Sequence, residues 1–550
     1  MNPPERVSKS VNLSRPSYSI WAGACAIVVA TVIVYLPALH GGFLLDDDLL
    51  LTANPLIKNP NGWWMFWCTH NTPDYLPLMS DSFWAEWRLW GMNPAGYHVT
   101  NILLHAVSAV IFWLLLRRMG VPGAWIAAAI FAVHPVNVRS VAWIAERKNT
   151  LSMLFFLGTL LAFVASEDTR SKRVYWLAVA LFACALLSKS STVVLPMVLL
   201  IITWYRRRRI TADDLRASMP FFAMSAIAAV AAIWYQYHVE IKPWNISAEP
   251  PLWRLASAGY SVWFYLGKLI LPINLAMIYP RIQIDTGAPL NYLPLFLVIA
   301  ALALFAWKRR TWGAIPLVVS GCFVATLLPV LGFVNMAFFK SSMVSDHLQY
   351  IPMLAIAAAA GAGIAWVMRR IGSISGEVNF GANSIEWHNK PPLGTVLPAI
   401  VLLTLAMLSW TQAGLYRDRV TLAKDTLRTN AGSFWAHGEM AGALASAGDL
   451  AGAERELRVV IALDPRSIAG YNNLANILIR EQRYAEASEL LVAAEQANPE
   501  SVMVHMNLGL LYAKLGYLDQ SRQEFARAAR IDPSNAMARD ALAQVGGARR

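Results

Sequence analysis

The chain has 550 residues, of which 57% are hydrophobic and only 15% charged, with a mean hydropathy of +0.43. A soluble domain carries about a quarter charged residues, so most of this chain is solvated by lipid. Its net charge of +12 marks cytoplasmic loops of a membrane protein rather than a nucleic-acid surface.

Residues 1–19 carry Arg6, Lys9 and Arg15 ahead of an apolar stretch at 20–39. That stretch is long for a signal-peptide core and lacks a clear cleavage site, so it predicts an uncleaved first span. Further apolar stretches follow at 99–116, 121–134, 150–165, 174–188, 191–205, 218–236, 291–307, 312–331, 351–368 and 393–412, which makes about eleven spans. A twelfth stretch, 256–271, is assigned by charge. With eleven spans, Arg117-Arg118, Lys172-Arg173, Arg206 to Arg209, Lys308 to Arg310 and Arg369-Arg370 all face the cytoplasm, and a full span at 256–271 would put the last two clusters outside. The stretch therefore reads as a re-entrant or interfacial helix. The resulting map is a membrane domain over 20–412 with external loops at 40–98, 134–149, 237–290 and 332–350. A connector at 413–433 and a C-terminal arm at 434–546 follow. The four cysteines, Cys25, Cys68, Cys184 and Cys322, show no zinc-site or disulfide spacing.

The first external loop opens with Asp46-Asp47-Asp48 just past Gly41 and Gly42, which end the first span flexibly. Adjacent carboxylates near a bilayer raise one another's pKa, which suits Asp46 or Asp47 to take a proton from a hydroxyl. Asp46 and Asp48 also form a D-x-D pair of the kind that holds a divalent cation. Two groups of tryptophans, Trp63, Trp64 and Trp67, then Trp84, Trp87 and Trp90, have helical spacing and predict two amphipathic helices on the membrane surface. Between them stands Asp74-Tyr75. His98 and His105 share one face of the second span, and polar packing inside the bundle explains them more simply than a metal does. Arg139, Glu146, Arg147, Lys148 and Asn149 crowd the second external loop, where cations are unusual on a positive-inside protein and suit a lipid-linked phosphate. Lys189 lies at the external end between two spans, and His347 in a later loop reaches for the same phosphate.

The arm repeats. Pro465, Pro499 and Pro533 stand 34 residues apart, and the same period relates Met440, Leu474 and Leu508; Ala441, Ala475 and Gly509; Leu444, Leu478 and Tyr512; Ala453, Ala487 and Ser521; and Leu457, Leu491 and Phe525. Small residues recur where two helices cross and large ones where the groove between them is filled. The pattern resembles the tetratricopeptide repeat, with the tail to residue 546 as a capping helix. The fold class is therefore all-α, a polytopic helix bundle followed by an α-solenoid.

FLLDDDLLLTANP, DYLPL, WGMNPAGYHVTNILLH, FAVHPVNVRSVAWIAERKN, SKSSTVVLP, LPINLAMIYP and SDHLQYIP, followed by these repeats, together resemble the transmembrane-and-tetratricopeptide-repeat O-mannosyltransferases and their bacterial relatives. These belong with the C-type glycosyltransferases. The resemblance implies inverting transfer of a sugar from a polyprenyl-phosphate donor to a protein or peptide hydroxyl outside the cytoplasmic (inner) membrane, with membrane lipid around the carrier. It maps the acidic pair onto Asp46 and Asp47 and the family's lysine onto Lys189. Animal members often carry Arg-Tyr where this chain has His347-Leu348, a departure at one of the phosphate positions. The expected site then has Asp46 and Asp47 as catalytic carboxylates and Arg139, Arg147, Lys148, Lys189 and His347 around the donor phosphate. Asp48, Asp74, Tyr75, His98 and Glu146 are candidate acceptor or sugar contacts. A phosphate is already a good leaving group, so no metal or other cofactor is required. Two alternatives stand beside this reading: a non-catalytic membrane scaffold recruiting partners through its repeats, and a lipid or polysaccharide glycosyltransferase of the same architecture.

Overall fold

The computed structural model describes residues 18–68, 75–241, 249–372, 393–533 and 535–547. The described residues form helices and connecting turns, and they divide into two compact units: residues 1–275 with 281–418, and residues 276–280 with 419–550.

In the first unit, α1 (Tyr18–Tyr35) leads into three helices of the first loop: α2 (Pro55–Lys58), α3 (Gly62–Cys68) and α4 (Pro77–Trp90). The bundle follows as α5 (Pro94–Arg118), α6 (Ala124–Val133), α7 (Val138–Ala142), α8 (Arg147–Thr169), α9 (Lys172–Ser188), α10 (Leu195–Arg207) and α11 (Ala212–Tyr235). It is completed by α12 (Pro251–Ile270), α13 (Leu293–Trp307), α14 (Ala314–Leu327), α15 (Met353–Gly372) and α16 (Leu393–Gly414). Each of the eleven apolar stretches read from the sequence coincides with a helix. Seven of the described helices are long and apolar enough to cross a bilayer, or eight if α6 and α7, bent by 49°, form one span. The expected eleven is thus not reached on length and composition. A straight span needs about 20 residues, and α9, α10 and α14 have 17, 13 and 14. The 256–271 stretch lies in α12, which is not among the candidate spans. Its Gly259 leaves no room for a side chain, since a Cβ there would stand 2.3 Å from the backbone nitrogen of Leu295.

Polar side chains collect at opposite ends of the helices. At one end Arg118 pairs with Asp168, Arg206 with Glu167 and Asp168, and Arg207 with Glu167 and Asp214. This ties the last turns of α5, α8 and α10 to the first turn of α11, which Thr211 and Asp214 close as a reciprocal cap. The other ends of α5, α8 and α9 carry the candidate site.

In the second unit, α17 (Arg419–Thr429) precedes three helix pairs: α18 (Phe434–Ser446) and α19 (Leu450–Leu463), α20 (Ile468–Arg480) and α21 (Tyr484–Ala497), and α22 (Val502–Lys514) and α23 (Leu518–Ile531). The last helix is α24 (Ala536–Gly547). The expected connector 413–433 is therefore itself mostly helical. Asn430 donates to the carbonyl of Ile278 at 3.3 Å, which holds the 276–280 segment within this unit. The repeat positions behave as the period requires: Ala441, Leu474, Ala475, Ala487, Leu491, Leu508 and Phe525 are buried. In the third pair a serine replaces alanine without leaving its hydroxyl unpaired, because Ser521 donates to the carbonyl of Gly509 at 2.7 Å.

Candidate functional site

The chain leaves α1 through a short 3-10 turn and Gly41. A Cβ at Gly41 would stand 2.9 Å from the Ala38 carbonyl oxygen and 2.9 Å from the His98 Nε2. Gly41 is therefore a packing residue, not the flexible end expected from sequence. His98 is fully buried against it in α5. His105, also buried, pairs through Nδ1 with the Tyr350 hydroxyl at 2.6 Å and through Nε2 with the Ala132 carbonyl at 3.1 Å.

The three aspartates differ. Asp47 is 1% exposed. Its Oδ2 accepts from the Leu44 amide at 2.7 Å and its Oδ1 from the Ala145 amide at 2.7 Å. Trp143 Nε1 donates to the Leu44 carbonyl at 3.2 Å, so the acidic loop is stitched to the 143–145 segment from both sides. Burial pushes the Asp47 carboxyl up to about 8, with a smaller push from Asp46 and Asp48, against the pull of the two amides. Asp46 is exposed. Asp48 is half-buried and accepts from the Thr52 hydroxyl at 2.7 Å.

The 134–149 segment bends back into the bundle. Arg139 is buried with its guanidinium near the rings of Trp143 and Phe338, at 5.5 and 5.6 Å. Arg147 is fully buried. Its Nη1 meets Glu86 at 2.9 Å and Ser82 at 3.4 Å, its Nη2 the Tyr97 carbonyl at 3.1 Å, and its Nε the Asn101 side-chain oxygen at 2.5 Å. These partners wrap the guanidinium in protein and pair it with Glu86 of α4. Neighbouring Lys148 is half-buried. One helical step of about 100° separates the enclosed Arg147 from the half-buried Lys148.

Glu146 is buried too and accepts from the Asn149 amide, while its Oε1 lies 3.8 Å from His347 Nε2. Lys189, at the end of α9, donates to Asn149 Oδ1. His347 Nδ1 lies 2.8 Å from the Ser345 hydroxyl. Burial holds the His347 ring well below the usual histidine range, and the positive charges of Arg139, Lys189 and Lys148 press it further down. The site thus brings together Arg139, Glu146, Lys148, Lys189 and His347, from three separate stretches of sequence. Tyr75 lies apart from them: it is exposed, its hydroxyl donates to the Trp67 carbonyl at 3.1 Å, and its ring stands 6.2 Å from that of Tyr235. Asp74 lies outside the described residues. The expected amphipathic helices are α3 and α4. Trp63, Trp64, Trp67 and Trp90 are exposed on them, while Arg88 stacks 3.5 Å over the Trp84 ring.

Sequence reasoning missed Glu86 and Asn149 as structural partners. An acid inside a tryptophan-rich helix was the available signal for Glu86. For Asn149 the crowding of charges around it was the only one. Among the described residues, the carboxylate and histidine atoms close enough to share a cation are those of Glu495, His505 and Glu524 in the repeats, where Arg527 pairs with both acids. That group does not include Asp46 or Asp48.

Residues 82–235 match the family model described as dolichyl-phosphate-mannose-protein mannosyltransferase. Residues 472–536 match a tetratricopeptide repeat. The protein O-mannosyl-transferase TMTC2 of Mus musculus is 32% identical over 149 residues, 25% of this chain and 18% of that protein. The protein O-mannosyl-transferase F38B6.6 of Caenorhabditis elegans is 28% identical over 163 residues, 27% of this chain and 24% of that protein. The human protein O-mannosyl-transferase TMTC3 is 19% identical over 558 residues, covering 92% of this chain and 55% of its own length. The matched stretches in the first two thus span about a quarter or less of those relatives. Among solved structures, the arabinofuranosyltransferase AftD from Mycobacteria aligns with 73% of this chain and 27% of its own, at 18% identity and a TM-score of 0.37. The chain therefore joins a region similar to protein O-mannosyl-transferases, spanning α4 to α11, to a C-terminal tetratricopeptide-repeat arm.

Proposed function

We propose that this chain is a membrane glycosyltransferase that moves a sugar, mannose being the first candidate, from a polyprenyl-phosphate carrier to a protein hydroxyl at the external face of the cytoplasmic membrane. One observation carries the reading. An exposed carboxylate, Asp46, adjoins Asp47, which is bonded to the Ala145 amide, on the segment whose Arg139 and Asn149 reach, through Phe338 and directly, to His347, with Lys189 bonded to Asn149 and Lys148 beside it. A base and a cationic pocket are the two halves of an inverting sugar transfer.

Asp46 takes the proton of the acceptor hydroxyl as its oxygen bonds to the anomeric carbon. The bond from that carbon to the phosphate oxygen breaks, and the polyprenyl phosphate leaves with the electron pair. Lys189, Arg139 and Lys148 stabilise its charge, and His347, being neutral, contributes a hydrogen bond at most. Asp47 holds the loop and does not take the proton. The chemistry asks for no cation at Asp46 and Asp48. The repeats bind acceptor or partner protein. Basic clusters at the ends of α5, α10, α13 and α15, and at the start of α9, support an orientation with those ends cytoplasmic and the site outside.

The test is mass spectrometry of envelope glycans from cells expressing wild type or D46N at equal level. Loss of hexose from proteins, with envelope lipids unchanged, supports the reading. Loss confined to lipids or polysaccharide overturns the acceptor class, and no loss from either favours the scaffold. A reporter fused after Gln412 reads the orientation and is expected outside.

A further inference from the structure

Asn149 stands in the first turn of α8 and is 2% exposed. Its side-chain oxygen accepts from Lys189 Nζ. Its side-chain nitrogen donates to Glu146 Oε2, and to Ser140 Oγ at 3.2 Å, with the His347 carbonyl at 3.4 Å. The orientation of the amide is fixed by its neighbours, since an ammonium can only donate and a carboxylate only accept. One buried side chain thus joins α7, the start of α8, the end of α9 and the 345–350 turn.

The backbone of Lys189 is already held. Its amide donates to the Ala185 carbonyl at 2.9 Å and its own carbonyl accepts from the Thr192 hydroxyl at 2.8 Å. What remains to be fixed is a flexible four-carbon stem. A carboxylate would fix the stem and cancel its charge. A neutral amide takes one of the three ammonium N–H groups and adds no charge of its own.

We propose that Asn149 is a positioning residue that sets the Lys189 ammonium where the phosphate of a polyprenyl-phosphate carrier is bound. The inference rests on the donor chemistry proposed above. Its consequence is that Asn149 acts through Lys189 and not alongside it. Residues acting in series give non-additive effects, whereas independent ones multiply.

The experiment is a double-mutant cycle on the full chain in detergent, with undecaprenyl phosphate as the probe and its Kd as the readout. Wild type is expected to bind saturably. N149A and K189M are each expected to weaken binding about 10-fold, and the double variant by about the same 10-fold instead of about 100-fold. Melting curves accompany every variant. If N149A does not fold, N149S runs the same cycle, because it keeps a hydroxyl for Glu146 but is too short to reach the lysine. Multiplying effects, or wild-type affinity in a folded Asn149 variant while K189M is weakened, overturn the inference and leave the function standing. Absence of saturable binding by wild type itself overturns the donor chemistry, and the inference with it.

Discussion

The membrane unit and the repeat unit use polar residues in opposite ways. In the repeats, a role recurs with the period. His437 pairs with Glu456 at 2.6 Å and donates to the Ala431 carbonyl, and two repeats later His505 pairs with Glu524 at 2.7 Å and donates to the Pro499 carbonyl. Copies disclose which positions are structural. In the membrane unit each polar residue occurs once, and adjacent residues of the same type part company. Asp46 is exposed beside a buried Asp47, and Arg147 is enclosed beside a half-buried Lys148. There, only the partners distinguish a residue that holds the fold from one placed to act.

The largest effect expected from this contrast is on Asp46. Replacing an essential base costs about 100- to 10 000-fold in rate. D46N is therefore expected to lose sugar transfer, measured as glycan on envelope protein, while its melting temperature stays at the wild-type value. A D46N protein that still transfers would mean that the exposed carboxylate is not the base.

Next comes Arg147. Removing one partner of a buried ion pair leaves the other charge uncompensated and costs about 3–5 kcal/mol. R147M strands Glu86, whose Oε2 has no hydrogen-bond partner among the described residues even with Arg147 in place. The melting temperature of R147M should fall well below that of K148M, which should keep wild-type stability and lose affinity for undecaprenyl phosphate. Equal stability of the two variants would erase the distinction between the neighbours.

Asp47 gives a smaller, pH-dependent effect. Its carboxyl titrates at about 8 in the folded chain, above the ordinary 3.8. Folding therefore favours the protonated form. The stability this confers is complete in acid below about 4 and is lost as pH rises through 8. The melting temperature should decline between about pH 4 and 8 and level off above that, and D47N, which does not titrate, should decline less. If the two curves run parallel, the buried carboxyl is not the group responsible.

These differences explain how much the sequence discloses. Apolar length is legible residue by residue, so the helix positions follow from it, and the short α9, α10 and α14, with the bent α6–α7 pair, account for the departure from the expected span count. The period disclosed Leu474, Ala475, Leu491 and Phe525 as core because three copies vote on each position. Asp46 and Asp47 carry identical side chains on successive residues. What separates them is an amide at Ala145, 98 residues away, which no local pattern encodes. Arg147 is similar, since its acid lies 61 residues back in a helix that reads as membrane-surface. The convergence on His347 joins three loops, and only the tertiary fold brings those together.

The smallest expected effect tests the repeat side of the comparison. Gly509 stands where the earlier repeats have Ala441 and Ala475. The difference has a cause across the helix crossing: the large position is Leu457 and Leu491 in the first two pairs and Phe525 in the third. A Cβ at Gly509 would come within 2.5 to 2.9 Å of the Phe525 ring. Overpacking of this kind costs about 1–3 kcal/mol, offset in part by the better helix propensity of alanine, worth up to about 1 kcal/mol. G509A alone should therefore lower the stability of the arm slightly, read as the urea midpoint of the full chain's repeat transition. G509A combined with F525L rebuilds the alanine–leucine pairing of the second repeat and should recover the loss that F525L alone, which leaves a void beside glycine, does not. Stability changes that simply add would mean that the two positions do not share the crossing, and that repeat copies are a weaker guide to packing than their period suggests.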